Sequence, residues 1–336
     1  MNLPKKRILI TAGEPSSISS EITVKALNKT KIKKKLELIV VTDPILIIQE
    51  LNNLKIKLKL NILDLDLKFS DYKKECINII PIKLKENIIP GKLNKKNSEF
   101  VVNSIKTCIN LIQENKADAI VTNPINKFIM KSNKFKFNGH TEYLGHLSKN
   151  RKVPIMLLES KKLKVVPITT HIPINSVSKN LTIQTLIEKI VILNKDLIHL
   201  YKIKKPRIYV SGLNPHSGDG GKVGNEELKI IIPAIEKLKR LGINITGPIP
   251  GDTLFQKNKI IEYDVAVCMY HDQALIPIKT LYSNQIINTT LGLDFVRTSP
   301  DHGTALDIAG KKIANPDSLI LAIKKAEDLI NNQYVA

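Results

Sequence analysis

The chain has 336 residues, 43% of them hydrophobic, enough for a large core and two lobes. No run of eighteen apolar residues suggests a membrane span, and Cys76, Cys108 and Cys268 form no CxxC pair for zinc or redox work, so they read as small buried hydrophobes. A net charge of +21 raises nucleic acid as a partner, but the charge is nearly all Lys spread along the chain and aromatic residues make up only 4%, so stacking platforms and bidentate Arg readers are scarce.

The opening MNLPKKRILITAG runs directly into a strand over Arg7 to Thr11. Its apolar core is too short, and too soon followed by Glu14, for a secretory signal, so a cytoplasmic location is expected. The turn AGEPSSISSEI that follows leads into a helix and offers backbone N–H groups to an anion, without being a GxGxxG fingerprint. Leu38 to Val41 gives a second strand ending at Thr42, Asp43 and Pro44. Leu54 to Leu67 alternates apolar and polar residues with period two, the pattern of a half-exposed strand or hairpin. Ser104 to Asn115 places Ile105, Cys108, Ile109 and Ile112 on one helical face, and the strand Ala119 to Val121 ends in TNPINK.

FNGHTEYLGHL clusters His140, Thr141 and Glu142 after Gly139. VPIMLLE and VVPITTHIPI read as neighbouring strands, the second ending at Thr169, Thr170 and His171. Thr182 to Leu200 is an amphipathic helix. The strand RIYVSGL runs into the Gly-rich loop NPHSGDGGKVGNEE, which carries His216 and opens a helix near Glu226. ITGPIPGDTLF presents Asp252 in a turn. The buried strand Val265 to Val267 leads to CMYHDQALIPIK, which sets His271, Asp272, Gln273 and Lys279 at the strand's exit. INTTLGLDFVRTS and PDHGTALDIAG supply Asn288, Arg297, His302 and Asp307, and Asn315 and Pro316 start a helix over Asp317 to Asn332. Strands alternating with helices over the whole length argue for an α/β fold with largely parallel sheets.

Of the seven histidines, five follow strand-like runs: His140, His171, His216, His271 and His302. Ligands in open α/β sheets sit beyond the carboxyl ends of strands. Three neutral imidazoles meeting there would leave open positions on a divalent metal ion, the arrangement of a Lewis-acid site. The pattern alone leaves this open against ordinary hydrogen-bonded loop histidines.

Eight motifs, TAGEPS, NGHTEYL, TTHIP, GLNPHSGDGG, GPIPGDTLF, MYHDQALIPIK, NTTLGLDFVRTS and DHGTALDIAG, follow one another in an order and spacing that resembles the 4-hydroxythreonine-4-phosphate dehydrogenase family of pyridoxal phosphate biosynthesis. The resemblance covers Thr11 to about Gly310. The last motif, followed by GKKIANP, is also similar to the cofactor-side segment of isocitrate and isopropylmalate dehydrogenases. It implies a two-lobed architecture with mostly parallel sheets, residues 1–125 plus 281–336 forming the cofactor lobe and 126–280 the dimer and metal lobe.

Residue by residue, the resemblance implies His171, His216 and His271 as ligands of one divalent ion (Zn, Mg or Co), drawn from two chains of an obligate homodimer. His140, Thr141, Lys279, Asn288 and Arg297 match substrate-binding positions. His302, Gly303, Thr304, Ala305 and Asp307 fall on the NAD or NADP side by analogy. The implied reaction oxidises 4-phosphooxy-L-threonine to 2-amino-3-oxo-4-phosphooxybutanoate, which loses carbon dioxide to give 3-amino-2-oxopropyl phosphate. Asp252 and Asp272 are the candidate bases, and Lys279 with Arg297 supplies positive charge for phosphate or carboxylate. Asp252 has a second reading as the group that fixes a ligand histidine's tautomer, and Gly220, Gly221 and Gly224 read as shaping a loop rather than cradling phosphate. A dehydrogenase of erythronate or threonate 4-phosphate is the rival within the enzymes, and a basic nucleic-acid-binding module the rival outside them.

The chain departs from the family pattern in places. Ser17, Ser19 and Ser20 stand where two glycines and a proline are usual, which is expected to stiffen or distort that turn. Ala274 replaces a glycine, TLYSNQII replaces a Gly-rich loop after Lys279, and Asp294 replaces a proline.

Overall fold

In the computed structural model, which describes residues 6–29, 36–131, 137, 139–150 and 153–334, the strands in chain order are β1 Lys6–Thr11, β2 Leu36–Thr42, β3 Lys59–Ile62, β4 Cys76–Pro81, β5 Ala119–Val121, β6 Ile155–Glu159, β7 Lys164–Pro167, β8 Ile208–Ser211, β9 Ile245–Ile249, β10 Val265–Cys268, β11 Ile287–Leu291 and β12 Val296–Pro300. Residues 1–5 of the opening segment and Asn138 of the NGHTEYL motif lie outside the described residues. The chain forms two compact units, one of Met1–Tyr143 with Asp294–Asn331, the other of Leu144–Leu293 with Asn332–Ala336. It crosses between them at Tyr143/Leu144, Leu293/Asp294 and Asn331/Asn332, where the lobe boundaries implied by the resemblance are 125/126 and 280/281.

In the first unit the strands run β3-β4-β2-β1-β5-β12, every pair parallel. Central β1 and β2 are buried on both faces, so apart from Arg7 and Glu37 they read as nearly continuous apolar runs rather than alternations. Arg7 is buried at the start of β1, where its guanidinium meets Glu37 at 2.8 Å and donates to the carbonyls of Leu67 and Lys116. Helix Pro44–Leu54 begins where the sequence demands. Asp43 caps it by accepting from Ile45 N at 2.9 Å, and Pro44 occupies the first turn, where no N–H is needed. Of the alternating stretch Leu54 to Leu67, only Lys59–Ile62 is a strand. It is the sheet's edge, and Leu54 closes the preceding helix instead. The helix expected over Ser104 to Asn115 spans Ser98–Gln113, with Phe100 and Val101 extending its buried face.

The second unit's strands run β11-β6-β7-β10-β8-β9. Here β6 is antiparallel to both β11 and β7, while β7, β10, β8 and β9 are mutually parallel. Helix Ile183–His199, capped by Thr182, buries Leu186, Ile190, Leu193 and Leu197 against Val166, Ile208, Val210 and Val267 in one cluster. Cys108 and Cys268 are buried and burial raises both thiols, whereas Cys76 is only half-buried at the start of β4, so the expectation of three buried cysteines fails there. No helix among the described residues is long and apolar enough to cross a membrane.

Candidate functional site

The second unit collects the candidate ligands because of its strand order. β7, β10 and β8 are parallel neighbours, so their carboxyl ends open on the same edge about 5 Å apart. His171 follows β7, His271 follows β10 and His216 follows β8, which makes His271 the middle of the three. The exits are laced beyond the strands. Ile168 N donates to Cys268 O at 2.8 Å and Thr169 Oγ1 to Met269 O at 2.8 Å. Gln273 accepts from Met269 N at 2.7 Å and donates to Gly212 O at 2.8 Å, tying the β10 exit to the β8 exit.

The imidazoles of His171 and His271 lie 5.7 Å apart between ring centroids. His271 is the first residue of helix His271–Tyr282, and its Nδ1 lies 2.7 Å from Asp272 Oδ1. An ionised carboxylate only accepts, so Nδ1 carries the proton and the Nε2 lone pair points away from Asp272. His216, Asp252, Tyr270, Asp272 and Gln273 line a cleft of about 510 Å³, and a second of about 210 Å³ is lined by Thr170, His171, Tyr270, His271 and Asp272. Tyr270 and Asp272 border both. Among the described residues of this one chain, no three His, Cys, Asp or Glu side chains converge closely enough to hold a metal ion. The donor chemistry nevertheless fits a divalent cation. Two imidazoles sit together, one with its tautomer fixed, a third is in the adjoining cleft, and the Asp272 carboxylate lines both.

His216 stands on an unusual backbone. His216, Ser217, Gly218, Asp219 and Gly220 have φ of 50°, 52°, 81°, 41° and 64°, a consecutive left-handed run in which three residues carry a Cβ. Such a residue costs roughly 1–2 kcal/mol, so something must hold the loop. The holding group is Glu227, 1% exposed, which periodicity could not single out. Its Oε1 accepts from Leu213 N at 2.7 Å and Asn214 N at 2.8 Å, and its Oε2 accepts from Asn214 Nδ2 at 2.9 Å. The only available signal was a Glu pair at the first helical turn after a Gly-rich loop. His171 too has a left-handed φ of 53°.

Two further residues of this unit need separate placement. Lys279 is not at the strand's exit: the helix starts at His271, so Lys279 lies within it, exposed, in its last turn. Asn288 is half-buried on β11, with its Oδ1 buried and lacking a hydrogen-bond partner among the described residues.

In the first unit, His140 and Thr141 open helix His140–Leu147, and Arg297 lies on β12, 2% exposed, donating to Thr122 Oγ1 from Nη2 at 2.6 Å. Burial pushes the guanidinium down to about 9, partly offset by Glu142, which leaves it charged at neutral pH. Burial first, then Arg297 and Lys127, hold His140 well below the ordinary histidine range. It is therefore neutral, and its Nε2 is buried with no hydrogen-bond partner among the described residues, as is Glu142 Oε2. The neutral imidazole and the buried guanidinium therefore lie close enough to act on each other electrostatically.

After β1 the serine-rich turn is closed rather than distorted. Ser17 Oγ donates to Glu14 O at 2.6 Å and lies 2.8 Å from Ser19 Oγ, and neither serine has a positive φ. The expected distortion therefore does not occur, because the positions that lost glycine do not demand it. Ile18 N donates to Thr304 O at 3.3 Å, which joins this turn to the stretch His302 to Asp307. There His302 Nδ1 donates to Gly303 O at 3.0 Å and its buried Nε2 has no hydrogen-bond partner among the described residues. Ala274, the other replaced glycine, is a buried helical residue that fills the core.

Residues 34–326 match the family model described as pyridoxal phosphate biosynthetic protein PdxA. The chain is 39% identical over 337 residues to a 4-hydroxythreonine-4-phosphate dehydrogenase of Sulfurihydrogenibium sp. (strain YO3AOP1), covering 95% of this chain and 97% of that one. It is 38% identical to a protein of the same name from Yersinia pestis, covering 99% of each. The crystal structure of 4-hydroxythreonine-4-phosphate dehydrogenase from Klebsiella pneumoniae superimposes with a TM-score of 0.85 at 32% identity, covering 97% of this chain and 99% of that one.

Proposed function

The chain belongs to the pyridoxal phosphate biosynthetic protein PdxA family, and from that premise we propose that it is a metal-dependent dehydrogenase of the cytoplasm that oxidises 4-phosphooxy-L-threonine with NAD or NADP. The product, 2-amino-3-oxo-4-phosphooxybutanoate, loses carbon dioxide to 3-amino-2-oxopropyl phosphate. The observation that carries the reading is the placement of His171, His271 and His216 at the ends of three adjacent parallel strands. When bound, a divalent ion (Zn, Mg or Co) would polarise the substrate's hydroxyl oxygen, while the carbon that bears it would give its hydride to the nicotinamide.

The chain's own residues divide the remaining work. His171, His216 and His271 hold the ion. Asp272 keeps His271 in the tautomer that exposes Nε2, which leaves Asp252, exposed in the wider cleft, as the base that takes the hydroxyl proton. Arg297 meets phosphate or carboxylate with a charge that cannot be lost at neutral pH, and neutral His140 accepts or donates one hydrogen bond beside it. Thr141, Lys279 and Asn288 complete the substrate contacts, the last through its unsatisfied Oδ1. His302, Gly303, Thr304, Ala305 and Asp307 face the nicotinamide cofactor. The two clefts are bordered by the exposed apolar side chains of Ile174 (70%) and Ile276 (64%), which supports a homodimer that covers this face and shares the ion between chains.

The test is an assay of purified, folded protein with 4-phosphooxy-L-threonine, each nicotinamide and each metal. Reduced nicotinamide and carbon dioxide in equal amounts are expected; neither forming would end the proposal. A higher kcat/KM with erythronate 4-phosphate would move the assignment to that substrate.

A further inference from the structure

We propose that Glu227 is a positioning residue for His216, fixing the left-handed loop from which that imidazole reaches the metal. The inference rests on the metal reading above and goes beyond it by naming a residue that touches neither ion nor substrate. Glu227 sits at the first turn of the helical segment that follows the loop and is essentially sealed from solvent. A sealed carboxylate needs compensation, and it receives two consecutive backbone N–H groups, Leu213 and Asn214, together with the Asn214 amide. These are the residues that lead into Pro215 and His216.

The loop itself offers little to replace the clamp. Within it, Ser217 N donates to Asn214 O at 3.1 Å, Lys222 N to Asp219 O at 3.3 Å and Val223 N to Gly218 O at 3.1 Å. Two glycines are shaped around the carboxylate. A Cβ on Gly218 would come within 2.8 Å of Glu227 Oε2, and one on Gly224 within 2.3 Å of Asn214 Nδ2. Glu226 adds a second acceptor to Asn214 Nδ2, at 2.8 Å, and is itself tied to Ser178 Oγ at 2.6 Å. The arrangement aims His216 by fixing the backbone two residues before it, on a segment whose φ values would otherwise relax.

The probe is Co(II), titrated into the metal-free dimer and followed by its visible absorption, with amide exchange of residues 212–221 measured in the metal-free protein. Glu227→Gln keeps the volume but turns a donor toward Asn214 Nδ2. It is expected to weaken Co(II) binding about 10–100-fold, to alter the absorption band and to speed exchange across the loop. Asn214→Ala, which leaves both backbone bonds on the carboxylate, is the variant to use if Glu227→Gln does not fold, and a several-fold weakening is expected. Co(II) affinity and spectrum unchanged in either folded variant, while His216→Ala loses Co(II), would overturn the positioning role alone. Wild-type protein that binds no Co(II) would remove the metal reading and this role with it.

Discussion

The loop after β1 and the loop after β8 both carry the chain from a parallel strand toward a helix, yet they use their backbones in opposite ways. In the first, Gly13 alone has a left-handed φ, and Ser16, Ser17, Ser19 and Ser20 are buried in a turn closed by the hydroxyls of Ser17 and Ser19. In the second, six consecutive residues, His216 to Gly221, have positive φ, a buried carboxylate holds the run, and the imidazole stands exposed in a cleft. Glycine was replaceable in the first because those positions are right-handed or extended. The difference teaches that a missing glycine matters only where φ is positive or a Cβ has nowhere to go.

The largest expected effect removes what the second loop presents. On the proposed metal role, His216→Ala should lower kcat/KM about 10³-fold or more, since a Lewis acid contributes several kcal/mol to such a step. A loss under tenfold in steady-state assays would mean that the strained loop serves something other than the ion. Next come the glycines that the two loops share in kind. Gly13→Ala would bring a Cβ to 2.5 Å from Ser19 Oγ and 2.9 Å from Pro124 O, and Gly224→Ala meets Asn214. Each should cost roughly 2–4 kcal/mol in urea unfolding. Tolerance of either would blur the contrast, because it would show a left-handed position relaxing cheaply.

A third test uses pH and the histidine of the first unit. His140 is held below its unfolded value by burial, so above that value neither state binds a proton there and its contribution is fully present. As pH falls below the unfolded value toward the depressed folded one, the unfolded state binds the proton first and stability is lost. His140→Gln should flatten this acid limb of the unfolding midpoint; an unchanged limb would place the loss in other groups. The smallest effect is Ser17→Gly, which removes three hydroxyl hydrogen bonds without releasing strain and should cost about 1 kcal/mol by thermal or urea unfolding.

The sequence made β7, β8 and β10 legible because buried parallel strands are short apolar runs with polar exits, and the spacing places the histidines at those exits. It could not show that the three strands are adjacent, since β10 inserts between β7 and β8 although both precede it in the chain. Lys279 lies eight residues into helix His271–Tyr282, which accommodates Pro277, and not at the strand's exit where the sequence alone puts it. Glu227 was invisible for a different reason. An acid in the first turn of a helix ordinarily belongs to solvent and the helix dipole, and only the folded loop turns it inward. Nor does periodicity reveal a left-handed run in which His216, Ser217 and Asp219 all carry side chains.

Arg297 carries one more consequence. A guanidinium whose proton affinity is depressed by burial is a charge that the empty protein holds unfavourably. An anion brought beside it would add to the offset that Glu142 already gives, so anion binding and thermal resistance should rise together. Inorganic phosphate is then expected to raise the melting temperature of the protein, and to do so far less in Arg297→Met, a variant that rids the fold of its buried charge.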